Sequence, residues 1–112
     1  MYHGERFNAY THLIGAMLAV AALVLMIIKA DDSYRLASAI TYGVCLSLLY
    51  LGSTLYHSIP QPKIKAVLQK VDHCMIYLLI AGSYTPFTLL PLKGEWGWSL
   101  FGVSWGLAFL GI

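Results

Sequence analysis

The run LASAITYGVCLSLLYLGSTLYHSI, Leu36 to Ile59, contains no Asp, Glu, Lys or Arg, and its reading decides the fold. A helix rises about 1.5 Å per residue, so this run is long enough to cross the ~30 Å hydrocarbon core of a bilayer. Its last turns carry Ser53-Thr54-Leu55-Tyr56-His57. Helical residues four apart are surface neighbours, which puts the Ser53 hydroxyl and the His57 imidazole on one face. Polar groups inside hydrocarbon cost free energy, and those tolerated face a bundle interior or a cavity. Tyr50, Thr54 and, deeper, Ser47 lengthen the stripe.

Composition agrees with a membrane setting. The chain is 59% hydrophobic and 11% charged, where a soluble domain carries about 25% charged residues. Mean hydropathy is +0.70. A formal charge of +2 without a basic, aromatic-laced stripe excludes a nucleic-acid surface. Cys45 and Cys74 lie in apolar segments without Cys-x-x-Cys spacing. They read as small buried residues, not as a disulfide framework or a cysteine zinc site.

Upstream, residues 7–28 form another uncharged run. Arg6 and Ala19-Val20-Ala21 imitate a signal peptide, but the run exceeds the ~7–15 residues of an h-region. Lys29 to Arg35 is a polar loop in which Asp32 or Ser33 can cap the following helix. Downstream, Pro60 and Pro62 are expected to stop the second helix. Ile64, Val67, Leu68 and Val71 then recur at helical spacing among Lys63, Lys65 and Lys70. That pattern fits either a short helix lying on the membrane surface or an early start to the third span. Pro86 should kink or end that span. Trp96 and Trp98 mark an aromatic belt, and Gly102-x-x-x-Gly106 offers a close-packing face.

The expected fold is therefore an all-α polytopic transmembrane bundle in one domain, residues 1–112. Complete spans are expected at about 8–28, 36–59 and 71–90, with a fourth at 98–112 cut off inside hydrocarbon, as in a fragment of a longer protein. Arg6, Lys63, Lys65 and Lys70 outnumber Lys29, Arg35 and Lys93, which favours a cytoplasmic N-terminus. His12, His57, Asp72 and His73 then share one membrane face.

Such a level could hold a metal. A catalytic zinc takes three protein ligands and a water whose pKa falls to about 7. His57 is the best ligand candidate, Ser53 one turn deeper can bind a substrate oxygen, and Asp72 can act as general base. Plainer readings stand beside these. His57 can be an interhelical hydrogen bonder, Asp72 can snorkel and pair with Lys70, and His12 can cap and anchor its helix. His73, rotated about 100° from Asp72, reads as structural.

Three stretches together resemble the hemolysin III family, related to the progestin and adipoQ receptors. They are Glu5-Arg6-Phe7-Asn8-Ala9-Tyr10-Thr11-His12-Leu13-Ile14-Gly15, Ser53-Thr54-Leu55-Tyr56-His57-Ser58-Ile59-Pro60, and Asp72 through Pro86. The resemblance implies a seven-helix protein of the bacterial inner membrane with a zinc site near the cytoplasmic face. In that pattern Ser53, His57 and Asp72 match the serine, the first zinc histidine and the aspartate. The remaining two ligands come from a His-x-x-x-His on the last helix, which has no match here, and His12 and His73 do not replace them by position.

Three functions are then expected to compete. One is membrane or lipid homeostasis through zinc-dependent hydrolysis of a lipid amide. Another is a pore-forming cytolysin, as the family name implies. In the third, the polar residues are packing glue.

Overall fold

The computed structural model describes residues 3–112. One 3-10 turn, His3–Glu5, leads into α1 (Arg6–Lys29), followed by α2 (Ser33–Ser58), α3 (Pro62–Leu89) and α4 (Glu95–Gly111). Among the described residues there is no strand. Each helix packs on the next in sequence, and the molecule measures 48 × 31 × 16 Å. A helix with its side chains is 10–12 Å across, so the bundle is hardly more than one helix thick.

α1 with its leading turn, and α2, are each long and apolar enough to cross a membrane. Their outer faces agree with that. Ile14, Met17, Leu18 and Leu25 on α1 and Leu48, Leu51 and Leu55 on α2 are exposed, a surface that water would penalise and lipid would not.

The buried contacts are made by small residues: Ala9, Ala16 and Ala19 on α1, Ala39, Gly43 and Cys45 on α2, and Ala81 and Gly82 on α3. Apolar burial gives helices no reason to associate in lipid, so close backbone approach and dispersion have to. At Gly82 a Cβ would stand 2.9 Å from both the Cβ and Sγ of Cys45. Gly102 and Gly106, expected to form such a face, have nothing within 4 Å among the described residues.

Local chemistry sets the ends. Asp32 is the α2 N-cap, its side chain accepting from the Arg35 amide at 2.8 Å. Ile59 closes α2 after Ser58. α2 thus stops ahead of Pro60, as expected, while Pro62 opens α3 at the position where a missing N–H costs nothing. The lysine-bearing segment is accordingly the first part of α3. Pro86 does not end α3, which runs one more turn to Leu89. Beyond it the Leu90 amide donates to the Pro86 carbonyl and Leu92 to Phe87, both at 3.0 Å. Cys45 is buried as expected, whereas Cys74 is half-buried.

Candidate functional site

Glu5, Ala9, His12, Ala16 and Ala19 recur at spacings of four and three along one side of α1. Three of them are the buried alanines of that helix, so the row faces α2 and carries Glu5 and His12 with it. Opposite lie Ser53, 4% exposed, and His57 one turn nearer the end of α2.

His12 Nδ1 and Ser53 Oγ are 2.5 Å apart. The His12 ring also meets Tyr50 edge-on at 5.6 Å and lies 6.0 Å from the His57 ring. Gly15 makes room for this arrangement, since a Cβ there would stand 2.8 Å from the Tyr50 ring.

The Glu5 carboxylate joins the ends of three helices. One oxygen lies 3.1 Å from His57 Nδ1 and the other 2.7 Å from Lys65 Nζ. Lys65 also donates to the Tyr56 carbonyl at 2.6 Å and stands 4.4 Å over the Tyr56 ring. All three charged or ionisable side chains are largely withdrawn from solvent, at 19, 16 and 14% exposure for Glu5, His57 and Lys65. An ionised carboxylate can only accept, so its bond to His57 is made with the proton on Nδ1. In the neutral ring that leaves the Nε2 lone pair for another partner. A carboxylate behind one imidazole nitrogen is the usual support of a metal-binding histidine.

The expected residues are brought together in part. Ser53 and His57 share a face, and His12 joins them. A Cβ on Gly52 would lie within 4 Å of the Met75 and Val71 side chains, so Asp72 sits at the depth of Ser53. Its side chain makes no hydrogen bond or ion pair among the described residues, with Lys70 or with the site. The His73 ring nitrogen Nδ1 lies 2.7 Å from the Gln69 carbonyl on an exposed face. Among the described residues no three His, Cys, Asp or Glu converge to hold a metal ion. Within this cluster His57 alone has a ring nitrogen placed to serve as a metal ligand.

Glu5 and Lys65 were not singled out from the sequence. The alanine row on α1 was the signal for Glu5. Nothing distinguished Lys65 from Lys63 and Lys70.

At the other end of α1 and α2, the Asp32 carboxyl is held below its ordinary pKa, chiefly by the Arg35 amide and then by the Arg35 charge. Arg35 also bonds Asp31 and Asp32 at 2.8 Å each.

These features belong to a helical membrane protein with a polar cluster at one end of its bundle. A family profile described as haemolysin-III related matches residues 1–112, and the chain belongs to that family. It is 50% identical to "Hemolysin-3" of Bacillus cereus over 112 residues, 96% of this chain and 51% of that protein. It is 49% identical to "Hemolysin-3 homolog" of Bacillus subtilis (strain 168) over 111 residues, covering 96% and 52%. It is 30% identical to human "Monocyte to macrophage differentiation factor" over 105 residues, covering 84% and 43%. The chain therefore spans about half the length of the Bacillus relatives. No solved structure matches it.

Proposed function

We propose that the protein is a membrane protein of lipid homeostasis whose cluster around His57 contributes to a zinc site, and that it hydrolyses a lipid amide. In this reading residues 1–112 supply three spans and the start of a fourth to a seven-helix bundle of the bacterial inner membrane. The N-terminus and the zinc site lie at the cytoplasmic side. The chain's half-length match to its Bacillus relatives supports the larger bundle.

The observation that carries the proposal is the Glu5–His57 contact at 3.1 Å, which fixes the ring and leaves Nε2 for a metal. Zinc, when bound, supplies Lewis-acid polarisation and a more acidic water. The remaining tasks fall to the chain's own groups. Ser53, held by His12, orients a substrate oxygen, and Asp72, unpaired and at the same depth, accepts a proton.

A test is fatty-acid release from a ceramide-type lipid amide by the natural polypeptide that carries residues 1–112. Release that disappears in Asp72→Asn and His57→Ala supports the reading, and no release by the parent overturns it. The similarity to proteins named hemolysin favours a second reading, a pore-forming cytolysin. Dye leakage from liposomes that survives Ser53→Ala and Asp72→Ala would support the pore and separate it from the polar cluster.

A further inference from the structure

At the end of the bundle remote from His57, α1, α2 and α3 border an open cleft of about 510 Å³. That is within the ~300–1,000 Å³ of ordinary ligand sites. Leu25, Met26, Ala39, Pro86 and Leu90 make most of its wall, and Lys29 and Arg35 stand at its mouth. Two features of this cleft ask for a ligand.

The first is Ser38. It lines the cleft, is 3% exposed, and its hydroxyl has no hydrogen-bond partner among the described residues. The other buried hydroxyls are all satisfied: Ser47 by the Gly43 carbonyl, Ser53 by His12, Thr85 by Ala81 and Thr88 by Thr85. An orphaned buried hydroxyl is destabilising, and a helix serine normally has the carbonyl four residues back to use.

The second is Lys29. Its side chain makes no ion pair or hydrogen bond among the described residues, whereas Arg35 is held by Asp31 and Asp32, and Lys93 stands 4.1 Å over the Tyr34 ring. One cation at the mouth is therefore free for an anion.

We propose that this cleft binds an anionic glycerophospholipid of the surrounding bilayer. An acyl chain lies along the apolar wall, Ser38 donates to a glycerol ester carbonyl, and Lys29 faces the phosphate. The order of depths agrees: Ser38 is three residues inside Arg35, about 4.5 Å along the helix, so the hydroxyl lies below the cationic mouth as an ester lies below a phosphate. The site is independent of the metal reading, because no residue is shared with the His57 cluster.

The test uses the purified natural polypeptide in nanodiscs of equal parts phosphatidylglycerol and phosphatidylcholine, with retained lipid counted by native mass spectrometry. The parent should retain phosphatidylglycerol in preference to phosphatidylcholine. Lys29→Gln should lower phosphatidylglycerol retention about fivefold, the worth of one lysine at an anionic surface. Ser38→Ala should lower retention of both lipids while keeping the preference. Lys63→Gln, an exposed lysine at the other end, is the control and should match the parent, with helicity by circular dichroism confirming that every variant folds. Equal retention of the two lipids by the parent, or Lys29→Gln binding like the parent, overturns the proposal. So does a photoreactive phosphatidylglycerol that labels the protein without labelling the cleft.

Discussion

Replacing Glu5 with Ala removes the acceptor that ties α1 to His57 on α2 and Lys65 on α3. Its contacts are 3.1 and 2.7 Å long, between side chains that are at most 19% exposed. Two unit charges at the 2.7 Å of the Lys65 contact attract by about 6 kcal/mol at an effective dielectric near 20. Desolvation takes back part of that, and a hydrogen bond to a charged partner nets roughly 1.5–3 kcal/mol. Glu5→Ala should therefore cost about 2–3 kcal/mol, because the Lys65 ammonium loses its carboxylate partner while its contacts with the Tyr56 carbonyl and ring remain. Equilibrium unfolding in mixed micelles measures it, in a cycle with Lys65→Met. The double variant removes the ammonium together with its carboxylate partner. The pair should show a coupling energy of at least ~1 kcal/mol, well beyond the ~0.3–0.5 kcal/mol scatter of independent sites. Additive losses, or a Glu5→Ala protein as stable as the parent, would refute the tie between the helix ends.

Other substitutions test the packing and the cap. Gly82→Ala should destabilise by about 1–3 kcal/mol, since its Cβ would meet the Cys45 Cβ and Sγ at 2.9 Å. Gly43→Ala should cost a similar amount, because its Cβ would meet the Leu23 Cβ, which no rotamer change moves, at 2.9 Å; the same unfolding titration measures both. Ser53→Ala removes the partner of His12 and should cost about 1 kcal/mol, with a change in the His12 ring signals by nitrogen-15 NMR. At the Asp32 cap the folded pKa is depressed, so its contribution is fully present above the ordinary carboxylate range near 4 and is lost as pH falls through the folded value. Melting followed from pH 6 downward should show a weaker decline for Asp32→Asn than for the parent.

The helices were legible because an uncharged run of spanning length has few alternatives, and all of the 36–59 run but Ile59, the C-cap, fell inside α2. The turns at Pro62 and Pro86 were harder. Proline obstructs a helix interior but suits its first turn, and near a helix end its lost hydrogen bond is one of few. Position relative to the helix start decides between these, and the start was what the lysine-bearing segment left open. Of the site, Ser53 and His57 were visible from their spacing of four. Glu5 was hidden by standing in a polar opening segment, where a carboxylate looks like ordinary surface. It was the register of Ala9, Ala16 and Ala19 that turned it inward. For Asp72 the sequence gives a level along α3, but a contact across helices depends on rotation about each axis, which sequence spacing alone leaves free.

The proposed zinc ligand is His57, with Glu5 behind it. The direct measurement is zinc per protein by elemental analysis of purified parent and His57→Ala. The account predicts about one zinc per parent chain and its loss in the variant, with Glu5→Gln retaining less than the parent. Equal zinc content in parent and His57→Ala would contradict it.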